Sequence, residues 1–143
     1  MYKLILYSVC IKEILKCLKL PWENCKVPTI LIDNIKCFYR ESKPPPVKCK
    51  TILFIHGAGG DGSVWEEQVS QLGNNYRIIV PDLPAHGKSG GDLFPSANKY
   101  AYWINRFTVQ LNLNRFFLVG HSLGGAIAQE LVRAFPQSIE GVV

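Results

Sequence analysis

Three short runs in which every residue is apolar, Ile52-Leu53-Phe54-Ile55, Ile78-Ile79-Val80 and Phe116-Phe117-Leu118-Val119, constrain this chain more than any other feature. A strand that is apolar on both faces must be covered on both, and a parallel sheet clothed by helices does this. The segments between the runs supply the helices. After the first run, Trp65, Val69 and Leu72 recur on one helical face up to Gly73, and Ser63 stands three residues before Glu66 at the spacing of a capping box. A second helical segment, from about Ser96 to Leu111, aligns Ala97, Tyr100, Ala101, Ile104, Phe107 and Leu111. A third begins near Leu123 and repeats Ala126, Ile127, Leu131 and Ala134 before Pro136, after which Gly141-Val142-Val143 reads as a fourth strand starting. Upstream, Thr29–Ile32 and Ile35–Arg40 are joined by Asp33-Asn34, and the second of these alternates in polarity as a half-buried antiparallel strand does. The pattern predicts an α/β fold: a mostly parallel sheet with helices on both faces and right-handed crossovers.

Composition narrows the class. At 143 residues and 48% apolar the chain suits one globular domain with a real core. Its longest apolar stretches are far shorter than the roughly 18 residues that a spanning helix needs. The formal charge of +5 is lopsided: residues 1–50 carry +6 and residues 51–143 carry −1. A nucleic-acid binder carries its basic surface on the folded recognition module, so this front-loaded charge predicts no nucleic-acid partner. The leader, residues 1–28, reads as a basic amphipathic helix and linker. Leu4, Tyr7, Ile11, Ile14, Leu15 and Leu18 share one face, with Lys12, Lys16 and Lys19 opposite, and Pro21 ends it. Two readings stay open: a surface helix docked on the domain, or weak contact of residues 3–19 with a membrane surface. All five cysteines (Cys10, Cys17, Cys25, Cys37 and Cys49) precede residue 50, in an odd number and without metal-site or redox-centre spacing. That predicts a reducing, cytoplasmic setting and no metal. The prolines at 44–46 mark the boundary before the first all-apolar run.

Two glycine-rich turns carry the chemistry. The first, His56-Gly57-Ala58-Gly59-Gly60-Asp61-Gly62, contains Gly57-x-Gly59-x-x-Gly62 between a strand and a helix, and Asp82 follows 20 residues later. This spacing matches a dinucleotide-binding fingerprint and raises an oxidoreductase as one reading. The second, Gly120-His121-Ser122-Leu123-Gly124-Gly125, is a G-x-S-x-G pattern between a strand and a helix. A serine on so sharp a turn needs positions without side chains two before and two after it, and Gly120 and Gly124 meet that need. The turn raises the Ser122 hydroxyl above the sheet and brings the Leu123 N–H, at a helix N-terminus, to the same place.

These two turns, with Asp82-Leu83-Pro84-Ala85-His86-Gly87-Lys88-Ser89 between them, resemble the α/β-hydrolase superfamily, in particular its serine esterase, lipase and lactonase-like members, from about Thr29 onward. The family's second motif usually has glycine where this chain has Ala85. The resemblance implies Ser122 as nucleophile and the N–H groups of Ala58 and Leu123 as the oxyanion hole, with Gly59 as the alternative to Ala58. His56, Gly57, Gly59, Gly120 and Gly124 become structural members of the motif, and Asp82 a structural residue. The implied substrate is a small ester or acyl compound, with no cofactor. It also implies an acid and a histidine after the nucleophile, yet only Glu130 and Glu140 follow Ser122, and no histidine does.

Among the three histidines, His121 is expected to diverge from Ser122 and bond elsewhere, His56 to brace its turn, and His86 to sit free in a loop. Residues 29–143 therefore read as the N-terminal portion of an incomplete α/β-hydrolase fold, inactive by itself. The alternative is a non-catalytic interaction module that self-associates through an open sheet edge.

Overall fold

The computed structural model describes residues 28–42 and 49–143. Apart from Pro28, the leader lies outside the described residues, as do Cys10, Cys17, Cys25 and the proline run. The chain begins with a hairpin of β1 (Thr29–Ile32) and β2 (Ile35–Glu41), antiparallel, with Ile32 opposite Ile35. Asp33 and Asn34 between them both have positive φ, 52° and 64°, which suits the right-handed twist of a two-residue hairpin turn. Then come β3 (Thr51–Ile55), a 3-10 turn (Gly62–Trp65), α1 (Glu66–Leu72), β4 (Arg77–Pro81), α2 (Ala97–Gln110), β5 (Phe116–Gly120), α3 (Leu123–Ala134), a second 3-10 turn (Pro136–Ser138) and β6 (Ile139–Val142).

The six strands form one sheet in the order β1-β2-β4-β3-β5-β6, antiparallel where β2 meets β4 and parallel from β4 through β6. The all-apolar runs are its central strands, and alternation along each sends side chains into two cores. Leu53 and Ile55 of β3, Ile79 of β4, and Phe116 and Leu118 of β5 face α2 and α3, where Ile104, Phe107, Ile127 and Leu131 close the larger core. Ile52, Phe54, Ile78 and Val80 face the other way and are covered by Val69 of α1, with Trp65 and Leu72 beside it. Among the described residues no helix is long and apolar enough to cross a membrane.

Two boundaries differ from expectation. The first helical segment is not opened by a Ser63–Glu66 capping box. Asp61, in extended backbone, accepts from the Ser63 N–H at 2.7 Å and caps the 3-10 turn instead. An aspartate two residues ahead of an N–H closes a tighter ring than Glu66 reaching back, so Ser63 becomes part of the turn. The last strand starts at Ile139, pairing with Phe116, two residues before the glycine that marked it in the sequence.

Leu53 pairs with Ile79 on one side and Leu118 on the other and is fully buried. Leu53→Ala should lower the unfolding free energy by about 2–5 kcal/mol in urea titration, while Leu31→Ala, at a side chain 62% exposed, should change it by less than about 0.5 kcal/mol.

Candidate active site

The turn from β5 into α3 is shaped by how closely the helix approaches β3. A Cβ on Gly124 would collide with the carbonyl oxygens of Ile55 and His56, and one on Gly120 with the Gly124 carbonyl. With neither present, the helix starts directly above the end of β3. The His121 N–H donates to the Ile55 carbonyl at 3.1 Å, and the Gly124 N–H to the His121 carbonyl at 2.9 Å. Between them Ser122 is held at φ 55°, ψ −115°, a region that a side chain rarely occupies and that costs about 1–3 kcal/mol. Ser122 is exposed at the tip of the turn. Leu123 is the first helical residue, so its N–H has no intrahelical partner.

The loop after β3 faces this tip. Gly57, Ala58, Gly59, Gly60 and Val64 join His121 and Ser122 around a cavity of about 310 Å³. The loop is pinned from below by His56, which is wholly buried. Its Nε2 accepts the Leu83 N–H at 3.0 Å, which leaves the proton on Nδ1 to be donated to the Gly57 carbonyl at 2.8 Å. The Gly60 N–H donates to that same carbonyl at 3.3 Å. A peptide plane held by its carbonyl has its N–H held on the opposite side, so these two bonds also fix the direction of the Ala58 N–H.

Asp82 is the second fixed point. It is fully buried, and its Oδ1 accepts from Arg40 Nη1 at 2.9 Å and from the Gly62 N–H at 2.8 Å, while Oδ2 accepts from the Lys88 N–H at 2.9 Å. One carboxylate thus ties β2, the glycine loop and the loop after β4 together, with Arg40 balancing its charge and Asp61 3.6 Å from the other arm of that guanidinium. This disposes of the dinucleotide reading. The acid at the fingerprint's spacing has its oxygens committed inside the protein, and a side chain at Gly62 would run into Arg40 rather than a pyrophosphate. The Arg40–Asp82 pair joins residues 42 apart and left no local pattern to find.

The histidines behave differently from expectation in two cases. His86 is not free in its loop: it is 8% exposed, its Nδ1 donates to the Pro84 carbonyl at 2.9 Å, and its ring packs 5.2 Å from His56. The turn from Leu83 to His86, closed by the His86 N–H on the Leu83 carbonyl, folds the ring inward. His121 does not diverge into the protein but lines the same cavity as Ser122. Glu130 is engaged by Asn98 and Arg133, which hold its carboxyl below the usual carboxylate range, and Glu140 lies 3.2 Å from Lys50. No group of three or more metal-ligating side chains gathers among the described residues.

Comparison with known proteins points one way. Residues 50–143 match the family model of the alpha/beta hydrolase fold. The chain is 30% identical over 97% of its length to "Abhydrolase domain-containing protein abhd-5.2" of Caenorhabditis elegans, covering 31% of that protein. It is 35% identical over 65% of its length to the "Dihydrolipoyllysine-residue acetyltransferase component of acetoin cleaving system" of Cupriavidus necator, covering 25% of it. Among solved structures, the N-acyl homoserine lactonase AidH superposes with a TM-score of 0.75 at 28% identity, over 82% of this chain and 43% of that one. The chain therefore spans about a third or less of the length of these two curated relatives.

Burial, reinforced by neighbouring His86, pushes the His56 imidazole below its ordinary value near 6.5, against the pull of Asp82, Asp61 and the Gly57 carbonyl. The unfolded chain then binds a proton more readily than the folded one, so His56's contribution is complete above about pH 6.5 and is lost as pH falls below it toward the folded value. The urea midpoint should drop between pH 7 and pH 5, and His56→Gln, whose amide offers both a donor and an acceptor without titrating, should flatten that drop. An equal drop in the variant would assign the acid sensitivity elsewhere.

Proposed function

The chain belongs to the alpha/beta hydrolase fold family, and from that premise we propose that it carries the nucleophile and oxyanion hole of a serine hydrolase that cleaves a carboxylic ester, thioester or lactone. The observation behind this reading is Ser122 itself: a side chain in strained backbone, exposed at a helix N-terminus, and facing a cavity whose opposite wall is the glycine loop. Ser122 Oγ attacks the carbonyl carbon, and the electron pair displaced from the C=O bond becomes an oxyanion. The N–H groups of Ala58 and Leu123 receive that oxyanion, the donor set through which such sites lower the barrier most. Collapse expels the leaving group and leaves an acyl-serine, which water then hydrolyses.

The serine proton needs an acceptor. His56 has both ring nitrogens engaged with backbone, His86 is buried on Pro84, and Glu130 and Glu140 are committed to cations. None of these four groups is free to be the base, and His121, next to Ser122 on the turn, has no acid partner among the described residues to orient it. On this reading residues 1–143 alone turn substrate over no faster than their Ser122→Ala variant. A second reading, a non-catalytic module, is favoured by the β6 edge of the sheet. Among the described residues it is one of the sheet's two edge strands, and Val142 and Val143 are 50% and 87% exposed, so it offers unpaired backbone to another chain.

A fluorophosphonate probe at pH 9, where hydroxide substitutes for the base, distinguishes the two. Slow labelling mapped by peptide mass spectrometry to Ser122, absent in Ser122→Ala, supports the hydrolase. Labelling that survives in Ser122→Ala, or none in the wild type, contradicts it.

A further inference from the structure

The three histidines divide by what their rings have left to give. His56 spends one nitrogen on Gly57 and the other on Leu83, and His86 spends Nδ1 on Pro84 inside the protein. His121 is exposed, and its ring makes no hydrogen bond or ion pair among the described residues, although its backbone is anchored through Ile55 and Gly124. The ring lies against the glycine loop. A Cβ built on Gly57 would stand 3.2 Å from His121 Nδ1 and 3.2 Å from Ser122 Cβ, so the imidazole and the serine stem flank the same point, one residue before Ala58. Apart from Ser122, every other residue lining the cavity is glycine, alanine or valine. His121 is thus, beside the serine hydroxyl, the one cavity-lining side chain that carries a hydrogen-bond donor, an imidazole N–H.

Resting on the serine hydrolase reading above, we propose that His121 is a third oxyanion donor. Its imidazole gives a hydrogen bond to the substrate's carbonyl oxygen as the carbon becomes tetrahedral, supplementing the backbone N–H groups of Ala58 and Leu123. A neutral imidazole always bears one N–H, and no protein acceptor fixes which nitrogen holds it, so the tautomer adapts to the bound oxygen. A donor on a developing oxyanion gains as charge builds, because hydrogen bonds to charged groups are stronger than neutral ones. The steric record at Gly57 agrees: a side chain there would press on both groups that this role requires.

Phenylboronic acid tests this without turnover. Boron takes a fourth bond from Ser122 Oγ, the serine proton passes to the buffer, and the resulting anionic boronate presents its oxygen where the oxyanion would sit. Binding constants come from calorimetry at pH 8, with folding checked by circular dichroism. The wild type should bind, Ser122→Ala should not, His121→Ala should bind about tenfold more weakly or worse, and His121→Gln, which keeps a donor, should recover part of the loss. Should His121→Ala fail to fold, His121→Phe, a ring without a donor, takes its place under the same criterion. A donorless variant that binds within twofold of wild type, while Ser122→Ala abolishes binding, overturns the His121 role alone. Binding that survives in Ser122→Ala, or no binding by the wild type, overturns the nucleophile assignment and this inference with it.

Discussion

The close approach of α3 to the end of β3 is the constraint on which the site depends. Backbone meets backbone there: Gly124 lies against the carbonyls of Ile55 and His56, and Gly120 against Gly124. Only that contact lets the chain leave β5, turn within two residues and start a helix above the sheet, and the turn forces Ser122 to φ 55°. The strain is outweighed by the core beneath, where Ile127, Ala128 and Leu131 of α3 pack with Leu53, Ile55 and Leu118 of the sheet. Stability generated by burial holds one serine where local preference alone would not place it.

Around this turn, polar groups with no exposure to water set the geometry of the facing loop. His56 fixes the Gly57 peptide, and Asp82 gathers three segments by accepting from Arg40, Gly62 and Lys88. Each is a buried polar group whose partners are present, so each rigidifies where it would otherwise destabilise. The consequence is a division of labour among like residues. Buried His56 braces the glycine loop and buried His86 packs against it, while His121, on the same turn as the serine, lines the cavity.

Most of the scaffold was legible in the sequence because it rests on periodicity. The three all-apolar runs became the central parallel strands, and the hairpin at Asp33-Asn34, the helix capped by Ser96 and the helix after Ser122 stand where their patterns put them. What was not legible depends on distant partners. Nothing near Arg40 announces Asp82, and nothing near His86 announces that its ring tucks against His56 and Tyr100. Gly57-x-Gly59-x-x-Gly62 shows the limit well. Glycines report that something approaches the backbone closely, and the fold had to reveal that at Gly62 it is the Arg40 guanidinium. His121 was expected to bond elsewhere because neighbouring side chains on a turn diverge, yet it and Ser122 line one cavity.

The central claim is that Ser122 and the glycine loop form one acyl-binding site, and a crystal structure of the phosphonate-treated chain tests it most directly. The account predicts phosphorus bonded to Ser122 Oγ, with the phosphoryl oxygen about 3 Å from the backbone nitrogens of Ala58 and Leu123. Phosphorus on another residue, or a phosphoryl oxygen turned to solvent away from both amides, would contradict it.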